Sequence, residues 1–164
     1  MYIKNLVDED FTNYKYPSMF IGTSKCDGKC FVDLGLPPET CHNYELMKSD
    51  SKIYIGINRL IDRYLENDIT KAIVFGGLEP FDQFPDIFAF IYGLRRKYNC
   101  NDDIVIYTGY EEYEIQSYLD ELRDMNFENI IIKFGRFIPN DKPIYDEILG
   151  VTLSSSNQYA IEFS

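Results

Sequence analysis

Cys26, Cys30 and Cys41 lie within sixteen residues of one another, while the fourth cysteine, Cys100, stands apart. Thiols clustered in this way, in a chain without the pairing of a disulfide framework, point to a metal or catalytic site. Cysteine thiolate is the usual ligand of iron–sulfur clusters, and four thiolates close a [4Fe–4S] cluster. With only three, one iron stays open to an outside ligand, and a substrate or cofactor can then bind the metal directly. Zinc is the alternative, since three Cys and His42 offer a Cys₃His set. His42 adjoins Cys41 directly, however, and neighbouring side chains rarely reach one metal without strain. Cys100 precedes Asn101-Asp102-Asp103 at the end of a helical pattern and reads as a lone structural or surface thiol.

The elements that must position these thiols follow from the hydrophobic pattern. Residues 18–24 (SMFIGTS) form an apolar run that predicts a buried strand leading into Cys26. Residues 25–43, rich in Gly, Pro and Asp, read as loop. From Ile57, apolar residues follow helical spacing, and Lys71–Phe75 predicts a strand that stops at Gly76-Gly77. A second helix carries Phe84, Ile87, Ile91, Leu94 and Tyr98. The strand Ile104–Tyr107 stops at Thr108-Gly109, and a third helix carries Ile115, Leu119, Leu122 and Met125. Residues 129–134, 150–153 and 159–163 predict three further strands. Strands alternating with helices imply parallel pairing through right-handed crossovers. Ligands of such sheets sit beyond the carboxyl ends of the strands, so Cys26, Gly76-Gly77 and Thr108-Gly109 are expected on one rim.

Composition excludes several classes. The 164 residues, 45% of them hydrophobic, suit one compact domain over 1–164. No run approaches the roughly 20 apolar residues of a membrane-spanning helix. The acidic start MYIKNLVDEDF lacks a secretory layout, so no membrane association and a cytoplasmic location are expected. The net charge of −11 argues against nucleic acid, whose phosphates need clustered Lys and Arg. Arg95-Arg96-Lys97 fits the negative end of a helix dipole, and Glu111-Glu112-Tyr113-Glu114 the positive end of the next.

Cys26-x3-Cys30 followed by Cys41-His42-Asn43 resembles the radical S-adenosylmethionine motif. It is most similar to that of the small activating proteins of anaerobic (class III) ribonucleotide reductase. That family's usual pattern is C-x3-C-x2-C with His-Asn after the last cysteine; here ten residues, Phe31–Thr40, stand where two are usual. Gly76-Gly77-Leu78-Glu79-Pro80 resembles the family's GGEP segment, with Leu78 added. Tyr107-Thr108-Gly109-Tyr110 is similar to its next strand end, and Ser154-Ser155-Ser156-Asn157-Gln158 to its serine-rich C-terminal segment. The inserted run contains Gly35 and Pro37-Pro38 and reads as a turn, and extra loop length adds only a small entropic penalty.

The resemblance implies a partial (β/α) barrel with a mostly parallel sheet, of radical S-adenosylmethionine type. It implies Cys26, Cys30 and Cys41 as ligands of a [4Fe–4S] cluster. It also implies Thr40, His42, Gly76, Gly77, Glu79, Pro80, Thr108 and Asn157 as contacts of S-adenosylmethionine. The Gly76 and Gly77 carbonyls would face the ammonium group; Glu79 is either a further acceptor for it or a solvated loop carboxylate. The implied activity is an oxidoreductase that cleaves S-adenosylmethionine reductively to activate a glycyl radical enzyme such as anaerobic ribonucleotide reductase. Its electron donor would be a flavodoxin or ferredoxin. Two alternatives remain: a radical enzyme acting on another peptide or small molecule, and a non-catalytic metal-stabilised binding module.

Overall fold

The computed structural model describes all 164 residues. Its nine strands are β1 (Tyr2–Asp10), β2 (Ser18–Thr23), β3 (Ile53–Tyr54), β4 (Ala72–Gly76), β5 (Asp103–Tyr107), β6 (Ile130–Phe134), β7 (Ile144–Asp146), β8 (Val151–Leu153) and β9 (Tyr159–Glu162). Between them run α1 (Lys29–Val32), α2 (Tyr44–Lys48), α3 (Ile57–Leu65), α4 (Phe84–Tyr92) and α5 (Gln116–Asp124). Seven strands form one sheet in the order β3-β1-β2-β4-β5-β6-β9. The centre, β2-β4-β5-β6, is parallel, and β1, β3 and β9 extend it antiparallel. The molecule is thus a mixed α/β domain with a mostly parallel central sheet.

The central strands are five- and six-residue apolar runs because both faces are covered. Ile73, Phe75, Ile104, Ile106, Ile132 and Phe134 face the larger core, packed with Leu60, Ile61, Ile87, Ile91 and Leu119 of the helices. Each such side chain contributes roughly 1.5–3 kcal/mol by leaving water. The alternate residues Ala72, Val74, Val105 and Ile131 face a smaller cluster with Tyr14, Leu149 and Leu153. That second face is closed by the β7–β8 hairpin, which pairs only with itself.

Three features depart from the sequence reading. The acidic start is a nine-residue strand, β1, whose alternating burial puts Ile3 inward and leaves Val7 exposed. Residues 25–43 are not all loop: α1 makes one helical turn and Pro38–Thr40 a 3₁₀ turn. The two C-terminal strands, read from the sequence without partners, go to different sheets: β8 joins the hairpin while β9 adds antiparallel to β6. Arg95 is also more than a dipole partner. It is buried, and its guanidinium donates to the carbonyls of Cys100 (2.7 Å), Asp102 (2.9 Å) and Glu128 (2.9 Å), tying the end of the α4 segment to the starts of β5 and β6. The acidic run falls on a 3₁₀ turn, Glu112–Glu114, just before α5, where Glu111 and Glu114 form a reciprocal capping box.

Candidate functional site

β2, β4, β5 and β6 end at the same rim, and a cavity of about 400 Å³ opens there. Cys26, Cys30 and Cys41 line it together with His42, Gly76, Gly77, Glu79 and Thr108. Strand ends therefore gather the three thiols, the glycine turn and the Thr108 turn as the pattern implied. Thr40, Pro80 and Asn157 do not line this cavity. Thr40 Oγ1 donates to Pro37 O (2.7 Å), and Pro80 is buried at the start of a 3₁₀ turn. Asn157 donates to Arg136 O (2.8 Å), and its own Oδ1 is buried without a partner. Cys100 packs against the larger core, away from the rim.

The cysteine segment is built by local bonds. Gly28, at φ 74°, starts α1 and its N–H donates to Cys26 Sγ (3.4 Å). Asp27 N–H donates to Asp82 Oδ2 (2.7 Å), and the Tyr110 hydroxyl lies 2.9 Å from Asp27 and 2.7 Å from Asp82. Burial, helped by the nearby carboxylates of Glu79, Asp82 and Asp27, pushes the Cys26 thiol up to about 11. The Cys30 and Cys41 thiols interact with each other, which holds Cys41 below the usual thiol range and Cys30 above it. A metal replaces these protons when it binds. Three thiols on one wall, one of them favoured as thiolate, fit a cluster with three protein ligands. His42 packs against Phe137, ring centroids 3.8 Å apart and planes tilted by 41°, so packing accounts for its place without a zinc ion.

Gly77 shows why glycine follows β4. Its φ is 80°, and a Cβ would lie 3.2 Å from Gly22 Cα. The carbonyls of Gly76 and Gly77 already accept bonds from Thr23 Oγ1 (3.0 Å) and Asn43 Nδ2 (2.5 Å). Each keeps a second lone pair. Glu79 is 8% exposed, which excludes the reading as a solvated loop carboxylate. Its Oε1 accepts from Thr108 Oγ1 (2.7 Å) and Phe81 N–H (3.1 Å), and its Oε2 from Gly109 N–H (2.9 Å). Burial nevertheless outweighs these bonds and raises its pKa to about 7.

The sequence reading missed Lys133. It lies in β6 on the face opposite the helices, 6% exposed, and lines the same cavity. Nζ donates to Gly135 O (2.9 Å) and Thr108 O (3.4 Å), and no carboxylate lies within ion-pair distance. Burial lowers its pKa to about 8, with Glu79 acting in the opposite direction. The one signal in the sequence was a lysine inside the otherwise apolar run NIIIKF. Gln158 was named only as part of a turn, yet it also lines the cavity. Its Oε1 accepts from Ser154 and Ser155 N–H, and its Nε2 donates to Gly135 O.

Glu79 and Lys133 thus flank Thr108, one bonded to its hydroxyl and the other facing its carbonyl. A buried acid and a buried cation without an ion-pair partner therefore stand beside the three thiols. No curated protein and no solved structure matches the chain. Residues 23–160, which include all three rim cysteines, match the family described as a 4Fe-4S single cluster domain. The chain belongs to that 4Fe-4S single cluster domain family.

Proposed function

We propose that Cys26, Cys30 and Cys41 hold one [4Fe–4S] cluster with an open iron, and that the protein uses it to cleave S-adenosylmethionine. The surrounding parallel strands would serve as a partial barrel of radical S-adenosylmethionine type. The observation that carries this reading is the shared cavity, in which the three thiols, Glu79 and Lys133 meet. A volume of about 400 Å³ lies within the range of small-molecule sites. The association of the family with radical S-adenosylmethionine proteins is further support.

A cluster held by Cys26, Cys30 and Cys41 would supply the one electron that cleaves the sulfonium, with methionine as the leaving group. The chain's own residues bind and orient. Glu79 Oε2 has one lone pair left for an ammonium group, and Lys133 has one N–H left for a carboxylate. The ligand's α-amino acid end is then held in a fixed direction on either side of Thr108. Phe20, Tyr107, Val151 and Leu153 give the cavity its apolar lining. Hydrogen taken from a substrate carbon–hydrogen bond would then appear in 5′-deoxyadenosine, leaving the unpaired electron on the substrate. In our reading the substrate is a backbone glycine of a larger enzyme, such as anaerobic ribonucleotide reductase, and a flavodoxin or ferredoxin supplies the electron.

A second reading keeps the chemistry and changes the substrate to another peptide or small molecule. The Phe31–Thr40 segment favours it, because it exposes Val32 (62%) and Leu34 (42%) beside the cysteines. Anaerobic reconstitution with iron and sulfide, then addition of reductant and S-adenosylmethionine, should yield 5′-deoxyadenosine. A reconstituted cluster that yields none refutes both readings and leaves a metal-stabilised binding module. Product without a glycyl radical in an added anaerobic reductase favours the second.

A further inference from the structure

The segment between the second and third cysteines makes its own turns. Leu36 N–H donates to Phe31 O (2.9 Å), Thr40 N–H to Pro37 O (3.0 Å) and Cys41 N–H to Pro38 O (3.0 Å). None of these bonds relates the segment to the sheet. Just past Cys41, Asn43 Nδ2 reaches Gly77 O, and two consecutive residues after β6 tie down the segment itself. Arg136 Nη2 donates to Asp33 Oδ2 (2.6 Å), three residues beyond Cys30. The Phe137 ring packs against that of His42, the residue next to Cys41, with the two planes tilted by 41°.

This dipeptide is itself fixed from below. Arg136 is buried, and its guanidinium makes a two-pronged pair with Glu114, both contacts at 2.7 Å. Glu114 is held in turn by Glu111 N–H (2.9 Å) and Lys29 Nζ (3.4 Å). Arg136 O accepts from Asn157 Nδ2 (2.8 Å). Gly135, at φ 95°, leaves no room for a Cβ against Asn157 O at 3.0 Å, and its N–H donates to Tyr110 O (3.2 Å). The end of β6 is therefore a rigid post, while the segment it holds is largely exposed.

We infer that Arg136 and Phe137 form a clasp that closes the long Cys30–Cys41 spacing and brings Cys41 back to the rim. Arg136 grips the Cys30 side through Asp33, and Phe137 grips the Cys41 side through His42. Both are positioning residues, since neither touches the reacting atoms. The inference rests on the cluster reading for its consequence, but the clasp itself is a property of the chain.

Asp33→Asn and Phe137→Leu test it, because both leave the Arg136–Glu114 pair intact. In the metal-free chain, amide hydrogen exchange across residues 31–42 should speed up in each variant, while the urea midpoint stays at the wild-type value. In the reconstituted protein, iron release to a chelator should become about 10- to 100-fold faster, the range seen when a residue that orients metal ligands is lost. Wild-type exchange across 31–42 in both variants overturns the clasp, whether or not the wild type takes up iron. Faster exchange with wild-type iron release overturns its role in holding Cys41. A urea midpoint that falls in step with either change overturns the clasp in favour of a general contribution to folding. A wild type that takes up no iron overturns the cluster reading, and the exchange data then stand alone.

Discussion

Lys133→Met separates the two things a buried cation does. Lys133 is 6% exposed and its pKa falls from 10.5 to about 8 on folding. At pH 7 the unfolded chain binds the proton more tightly, so the charged side chain opposes folding by about 3 kcal/mol, at 1.4 kcal/mol per tenfold. Methionine fills a similar volume without that cost. It also loses the bonds to Gly135 O and Thr108 O, each worth about 1 kcal/mol net. The variant should therefore be more stable at pH 7 by about 1 kcal/mol, raising the melting temperature by about 2–4 °C. The sign with pH is the sharper test. Between about 8 and 10.5 the unfolded state holds more protons than the folded state, so wild-type stability from this group rises with pH. The advantage of the variant should shrink by about 3 kcal/mol between pH 7 and 10.5 and change sign. Urea unfolding of the metal-free wild type and variant at several pH values measures that difference directly. A constant difference across this range would refute the buried, unpaired charge. The same substitution should weaken S-adenosylmethionine binding by about 10- to 150-fold in equilibrium dialysis, because a charge-assisted hydrogen bond is worth about 1.5–3 kcal/mol. Unchanged affinity would remove Lys133 from the ligand site.

Glu79→Gln carries the opposite dependence. Burial raises this carboxyl from 4.5 to about 7, so the wild type loses about 3 kcal/mol as pH rises through that interval and the variant does not; parallel unfolding curves from pH 4.5 to 7 would contradict it. In ligand binding, Glu79 is charged above about 7 and Lys133 below about 8, so affinity should peak in that window and fall on both sides. A flat binding profile from pH 6 to 9 would count against the two-charge clamp. Cys41→Ala should abolish the iron-dependent absorbance of the reconstituted protein while Cys100→Ala retains it, and retention by both would move the third ligand elsewhere. Gly77→Ala should cost about 1–2 kcal/mol from its positive φ. Its Cβ would also press on Gly22, so urea unfolding that matches the wild type would show that the turn can relax.

The rim was legible because its parts are local. Each of the runs before Cys26, Gly76 and Thr108 is a short apolar segment ended by a loop, and a parallel sheet aligns such ends whatever the details of packing. The thiols themselves needed no tertiary knowledge to be singled out. Glu79 was legible as a candidate but not as a buried one, since burial depends on Thr108 and Gly109 arriving from another strand. Thr40 and Asn157 were named by position in motifs, yet the Thr40 hydroxyl is spent on Pro37 and the Asn157 amide nitrogen on Arg136. β1 was missed because its burial does not follow its hydrophobicity: Tyr2 and Val7 are exposed, the charged Asp10 is buried, and Ile3 is the one buried apolar residue of the strand.

The sequence alone determined the thiol set, the alternation of strands and helices, and the family to which residues 23–160 belong. Those properties reside in residue type and spacing along the chain. Only the tertiary structure decided that Lys133 is a buried cation beside Glu79, and that Arg136 and Phe137 meet Asp33 and His42. These pairs are separated by many residues, and spacing within one strand or loop carries no information about which distant side chain will face it. The three cysteines announce a metal; the residues that aim them, and those that would hold its ligand, are assembled by the sheet.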